Sequence, residues 1–330
     1  MNVDTERTGI SFIIPVLNGA KFIAKCLDGI IAEMDPELDE IIVLDNGSTD
    51  GTVDIVKGFS TVRLLERPGS TIAALRNRGT KVAQGEYFGF IDSDCVIAEG
   101  WREAVESVLR DENIHATGSR YDIPQPAHWI EKAWYAKKVK AMGPINYINS
   151  GNLVVKKGAF EAVAGFDERL ITDEDYDLGT RLNRAGFAVI EAPRVRAVHL
   201  GNPKSLRQFF GKEKWHATSS LNALSQGRLD RPTAMTIALM ACWLAALVVL
   251  PQVIAGRLSA AVPVILLLIV PVITTAYRAL QYRAYRHFPS LVVLYAVFYV
   301  ARALIIAQLL FAKATGGGDS ARGQISESDI

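Results

Sequence analysis

Apolar positions follow two regimes along the chain. Before about residue 200 they come in short runs broken by turn residues. Residues 10–16 (ISFIIPV) form a continuous apolar run, as in a strand covered on both faces. Over 20–32 the apolar positions Phe22, Ile23, Leu27, Ile30 and Ile31 share one side of a helix. The alternation continues with strands at 40–44, 62–65 and 86–91 and helices at 51–57, 71–83 and 99–110. This order predicts an α/β sandwich with a mostly parallel sheet. Ligands of such sheets sit beyond the carboxyl ends of the strands. Asn18, Asp45, Asp92 and Asp94, each just after a strand, therefore carry functional weight.

Beyond residue 231 the pattern changes. Two apolar runs, 234–255 and 258–277, are separated by Arg257, and a third, 289–312, holds one charge, Arg302. About 20 apolar residues at 1.5 Å rise cross a hydrocarbon core of roughly 30 Å, so three transmembrane helices are expected. The alternative is two spans and one helix lying in the interface. Arg278, Arg283 and Arg286 crowd the link between the second and third runs, which places that link, and everything before the first span, in the cytoplasm. The expected organisation is a front α/β domain at 1–203, an amphipathic interfacial segment at 204–231, a membrane region at 232–313 and a disordered tail at 314–330. Residues 1–9 are polar and 10–17 are too short for a secretory h-region. A multi-pass protein of the cytoplasmic (inner) membrane is expected, its front domain on the cytoplasmic side.

Composition sharpens this division. The 330 residues carry 36 Lys+Arg and 35 Asp+Glu, and 49% are hydrophobic. Near neutrality gives no reason to expect a nucleic-acid partner. Residues 232–330 hold seven basic and three acidic side chains, so the back is net basic and the front net acidic. Three scattered cysteines offer neither a disulfide framework nor zinc spacing.

Candidate chemistry gathers at strand ends. Asp92-Ser93-Asp94 puts two carboxylates at i and i+2 on a loop, suited to Mg²⁺ or Mn²⁺ that in turn bridges phosphates; a solvated turn is the plain alternative. Asp45 opens a run of small residues, Asn46 to Gly51, that either approaches a base or ribose or forms an ordinary Asx turn. The acidic run 173–177 precedes a helical stretch at 178–185. It contains Glu174 and Asp175, and its crowding raises at least one pKa, as a general base needs. Helix capping is the competing account, above all for Asp177. His199 is either a structural residue or a third metal ligand. Arg76, Lys212 and Lys214 suit phosphate neutralisation or a solvated surface. Segments 128–142 and 205–221 combine Trp, Phe and Tyr with basic residues, a pattern fit for a bilayer surface or for a core with a solvated basic face. Arg302, mid-span, is costly to expose to lipid and is expected to face protein or a polar cleft, where it would meet an acceptor phosphate.

Five blocks in order, SFIIPVLNGA, IIVLDNGSTDGT, AALRNRGTKVAQGEYFGFIDSDC, GNLVVKKGAFEAVAGFDERLITDEDYDLGTRLNRAGF and VRAVHLGN, resemble the family 2 glycosyltransferases over roughly residues 10–202. The resemblance implies the GT-A fold, a Rossmann-like mixed sheet, and a nucleotide-diphospho-sugar donor. It implies Pro15 and Asn18 in the nucleotide pocket, Asp45 at the base and Arg76 near the donor. Asp92 would reach ribose or metal and Asp94 the metal, with His199 beside metal and diphosphate. Asp175, the second acid of the Glu174-Asp175 pair, would be the general base of an inverting transfer. The Q-x-x-R-W motif of processive synthases is not met at Gln208–Lys212, which favours transfer of one sugar or few. The expected reaction moves a sugar to a lipid-linked or membrane-proximal acceptor. A polyprenyl-phosphate sugar synthase and, in another class, a catalytically silent membrane-anchored scaffold are the alternatives.

Overall fold

The computed structural model describes residues 8–135, 141–225, 229–283 and 285–314. They fall into two units, Met1–Gln125 with Val139–Asn202, and Pro126–Lys138 with Pro203–Ile330. The tail expected to be disordered lies, after Ala314, outside the described residues.

The first unit runs β1 (Ile10–Val16), α1 (Ile23–Glu33), β2 (Glu40–Asp45), α2 (Thr52–Lys57), β3 (Val62–Glu66), α3 (Ile72–Thr80), β4 (Tyr87–Ile91), β5 (Cys95–Ile97), α4 (Trp101–Leu109) and β6 (Ile114–Gly118). It continues with β7 (Gly143–Pro144), β8 (Asn152–Lys156), α5 (Lys157–Ala162), α6 (Glu174–Arg184), β9 (Ala188–Glu191) and β10 (Ala197–His199). The main sheet has the order β3-β2-β1-β4-β8-β6-β9-β7. Its first four strands are parallel, but β8 runs against both β4 and β6, so the sheet is mixed. The mostly parallel expectation holds for the half whose strands alternate with helices. The long connection from β6 to β8 returns the chain in the opposite sense.

β1 shows why a continuous apolar run is needed. Ile10, Phe12, Ile14 and Val16 pack with Ile23 and Leu27 of α1 and Trp101 of α4. Ile13, on the opposite face, joins Ile42, Leu44, Phe88 and Phe90. Phe90 lies 5.0 Å from the Phe166 ring and 5.5 Å from Phe160, which anchors the region just before α6 to the sheet. The β1–β4 register ends at Ile13 and Phe90, while β1–β2 continues to Val16 and Asp45. Pro15 sits in that last stretch. It has no N–H to give, and the β4 side asks for none beyond Ile13. The pairing of β1 with β4 stops there.

The second unit contains α7 (Leu206–Ser225), α8 (Arg231–Ile254), α9 (Ala261–Tyr282) and α10 (Phe288–Ala314). It also has a π-helical turn at Glu131–Tyr135 and a 3₁₀ turn at Tyr285–His287. The Asp230 side chain caps α8 by accepting from the Thr233 N–H at 2.7 Å, with a proline in the first turn. Three helical stretches, Arg231–Ile254, Ala261–Tyr282 and Tyr285–Gln308, are long and apolar enough to cross a membrane. Leu244, Leu247, Val248 and Ile254 of α8 are all more than half exposed. A water-soluble surface rarely tolerates such a patch, whereas lipid covers it at no cost. The third stretch is 56% buried against 11% for the first, which makes α10 the central packing helix of this unit.

Two expectations change here. Arg278 is not in the link between spans; it lies within α9, where its guanidinium donates to the Trp134 carbonyl and sits 4.7 Å over the Trp134 ring. The helix runs past the apolar stretch because the charge finds a carbonyl and an aromatic face. Trp134 and Phe209 are not presented outward either. Phe209 is fully buried, its ring 4.9 Å from Trp134, in one core with Leu291, Leu294 and Phe298 of α10. This core is why residues 126–135 belong with the C-terminal helices although chain order alone assigns them to the front domain. Of the large aromatics there, Trp129 remains exposed.

Candidate active site

The carboxyl ends of β1, β2 and β4 supply the first components. Asn18, at φ 51°, braces two loops: its N–H donates to Ser48 Oγ at 2.8 Å and its Oδ1 accepts from the Thr49 N–H at 2.9 Å. Asp45 ends β2 and is 1% exposed. Its Oδ1 accepts from the N–H groups of Gly47 and Ser48 at 2.8 and 2.9 Å, which holds the small-residue loop. Its Oδ2 is buried and has no donor within hydrogen-bond distance among the described residues. A buried acceptor without a donor is expensive, and a ligand N–H would relieve it.

Asp92 follows β4. Its Oδ1 receives Arg76 at 2.7 Å and its Oδ2 receives the Tyr121 hydroxyl at 3.3 Å. Arg76, 1% exposed on α3, gives its other terminal nitrogen to Glu174 Oε1 at 2.6 Å. The expected donor cation is thus engaged with two carboxylates of the protein. One planar fork ties the acid after β4 to the acid that opens α6, which brings two segments 82 residues apart into one site.

The helix expected from residue 178 begins at Glu174, with Asp173 at its N-cap in a left-handed conformation (φ 64°). Glu174, Asp175 and Asp177 lie in the first turn, where the helix dipole favours negative charge. Asp177 pairs with Arg181 one turn on at 2.6 Å, so the capping reading serves for it. Asp175 differs. Its Oδ2 accepts from Asn149 Nδ2 at 3.3 Å and its Oδ1 from the Tyr176 N–H at 2.7 Å. Burial first, and then the neighbouring Glu174 charge, push its carboxyl up to about 7.

His199 arrives through a small second sheet. β10 pairs antiparallel with β5, and His199 stands opposite Cys95. His199 Nε2 is 3.6 Å from Asp94 Oδ2, and its ring lies 4.9 Å from Tyr121. One donor atom each from Asp92, Asp94, Cys95 and His199 lie within 4.8 Å of one another. Glycines make room for the carboxylates: a Cβ at Gly201 would overlap Asp94 Oδ2, and one at Gly151 would overlap Asp92 Oδ2 and the Tyr121 hydroxyl. Two carboxylates and an imidazole converging in a glycine-walled cradle fit a divalent ion. Gly201→Ala is therefore expected to displace the Asp94 carboxylate and weaken Mn²⁺ binding by about 10–100-fold. A metal titration checks this, and an unchanged affinity would remove Asp94 from the ligand set.

The chain supplies partners that the sequence reading passed over. Tyr121 joins Asp92 to the Gly151 N–H, with burial holding its hydroxyl well above the usual tyrosine range. Asn149 and Ser150 reach Asp175 and Glu174. An Asn-Ser-Gly turn ahead of an apolar strand was their only sequence signal. Lys212, Lys214 and Arg302 belong to the second unit. Lys212 Nζ is 5.6 Å over the Tyr135 ring, and Lys214 is half-buried. Arg302, 9% exposed, faces protein: its NH2 is 3.8 Å from Glu213 Oε2 and its guanidinium 4.4 Å over Phe298.

A mixed sheet with acids at the carboxyl ends of its parallel half, continued by an acid-headed helix, defines the GT-A class of nucleotide-sugar transferase folds. The solved mannosyltransferase PcManGT from Pyrobaculum calidifontis, in complex with GDP-Man and Mn²⁺, superposes with a TM-score of 0.61 at 20% identity over 91% of this chain and 88% of its own. The model of "Glycosyl transferase family 2" matches residues 11–160, and that of "Glycosyl transferase family group 2" matches residues 108–308. The chain belongs to the family 2 glycosyl transferases. Glycosyltransferase AglE of Haloferax volcanii is 29% identical over 205 residues, 59% of this chain and 67% of that one. Glycosyltransferase GlyA of Streptococcus pneumoniae is 35% identical over 138 residues, 39% of this chain but only a fifth (20%) of that longer protein.

Proposed function

We propose that this protein is an inverting, metal-dependent glycosyltransferase. It moves a sugar from a nucleoside-diphospho-sugar to a lipid-linked or membrane-proximal acceptor. The observation that supports the reading is the Asp92–Arg76–Glu174 bridge, which ties the loop of the proposed ion ligands to the helix start that carries the raised carboxyl of Asp175. Asp45 Oδ2 takes a hydrogen bond from the donor's base. Asp92, Asp94 and His199 would hold a hard divalent ion, Mg²⁺ or Mn²⁺, which would supply positive charge to offset that of the departing diphosphate. Asp175 takes the acceptor hydroxyl's proton as that oxygen attacks. Direct displacement needs the base and the leaving group on opposite sides of the sugar carbon, so the two acid groups serve different ends of one reaction. The exposed apolar faces of α8 and α9 support a membrane acceptor and an anchored enzyme, with the catalytic unit on the cytoplasmic side.

A thermal-shift screen of UDP-, GDP- and dTDP-sugars with Mn²⁺ or Mg²⁺ tests the donor. A ligand present at 100 times its Kd stabilises by about 2.7 kcal/mol, a rise of several degrees that depends on the ion. Absence of a shift with every donor, or a shift indifferent to the ion and to Asp94→Asn, would overturn the reading.

A further inference from the structure

We infer that Cys95 is a fourth donor at the acidic site, so that the site takes a thiophilic divalent ion, Zn²⁺ or Cd²⁺, in competition with the hard ion of turnover. The inference rests on Asp92, Asp94 and His199 as ion ligands and extends that set by a sulfur.

Three observations carry it. Cys95 and His199 are directly opposed across the antiparallel pair β5–β10, so both side chains project from the same face. Cys95 Sγ lies 3.8 Å from Asp94 Oδ1. It also lies, with donor atoms of Asp92 and His199, inside the 4.8 Å cluster. Metal–ligand bonds of about 2.0–2.3 Å place tetrahedral donors roughly 3.3–3.8 Å apart. The cluster must therefore contract by about 1 Å. Asp94, its side chain 27% exposed, has room to turn inward; Asp92 is held by Arg76 and Tyr121, so the other donors close on it.

Donor chemistry decides which ion gains. Two carboxylates alone suit Mg²⁺ or Mn²⁺; adding imidazole and sulfur suits zinc. As the sulfur–metal bond forms, the thiol proton leaves to solvent and the thiolate charge is balanced by the ion. A hard ion held by fewer protein groups keeps positions for diphosphate oxygens. Four protein donors close the site, as in structural zinc centres. Zn²⁺ then inhibits by excluding donor and Mn²⁺ together. The opposing account treats Cys95 as a small buried apolar residue, since it also packs with Ile97 and Trp101.

The test uses the purified full chain in detergent and Co²⁺ as probe. One equivalent of Co²⁺ should give a thiolate-to-cobalt charge-transfer band in the near ultraviolet, and excess Zn²⁺ should abolish it. Cys95→Ser should lose the band, melt within a few degrees of the parent and still bind Mn²⁺, while Zn²⁺ inhibition weakens at least about tenfold. Co²⁺ binding without the band, or a band that survives Cys95→Ser, overturns the sulfur donor and leaves the hard-ion site standing. Failure of Co²⁺, Zn²⁺ and Mn²⁺ alike to bind overturns the hard-ion site with it.

Discussion

Asp175→Asn is expected to slow sugar transfer about 10²–10⁴-fold while leaving donor binding in place. The substitution keeps size but removes the proton acceptor; of the two hydrogen bonds that the carboxylate accepts, from Asn149 Nδ2 and the Tyr176 N–H, the single amide oxygen keeps one. A positioned general base contributes about 10²–10⁴-fold, so kcat should fall by that factor and the thermal shift with donor should persist. The parent enzyme should show an acid limb. Burial and the Glu174 charge hold the Asp175 carboxyl up at about 7, so below that pH the protonated form dominates. The rate should then drop about tenfold per pH unit and be flat above. The variant's residual rate should lack that limb. If the acceptor were already an anion, such as a lipid phosphate, a base would contribute little. The loss would then shrink below about tenfold and the limb would vanish from the parent too. Rates across pH for parent and variant with a given acceptor distinguish these outcomes.

Arg76→Met should destabilise the first unit by about 3–5 kcal/mol, because it leaves two acids without their shared cation in a buried setting. At roughly 2–4 °C per kcal/mol for a unit of this size, the melting temperature should fall by about 6–20 °C. The Arg76 charge also lowers the Asp175 carboxyl, opposing burial and Glu174. Its removal should move the acid limb of the pH profile upward, an effect that unfolding alone does not produce. Adding Glu174→Gln should recover part of the stability and bring the limb back down, since one uncompensated charge is gone. A double variant no more stable than Arg76→Met would mean that the Glu174 pairing carries little of the effect. Lys at 76 should rescue poorly, because a point charge on a flexible stem does not fork between two carboxylates.

The elements that could be read from the chain are those with strong local pattern. β1, β2 and β4 are continuous apolar runs, and each ends within one or two residues of the expected position. The expected spans at 234–255, 258–277 and 289–312 correspond to α8, α9 and α10, with shifted ends. Weakly patterned elements were not legible. β5 and β10 are three residues each, too short to show a period, and they matter only because they pair. Arg76 showed its type but not its task. On the chain it is one cation of 36, and only packing turns it toward Asp92 and Glu174.

The sequence by itself therefore determined the class of fold, the acids at the strand ends and the apolar helices. Each of these follows from local rules: strand period, helix length, and carboxylates placed where an apolar run stops. Tertiary structure alone decided the company those acids keep. It joined the site through a buried guanidinium, brought a cysteine and a histidine to the same face beside Asp94, and drew Trp134 into the core of the C-terminal helices. Charge pairing and desolvation act between residues far apart in the chain, and they exist only once folding has removed the water between them.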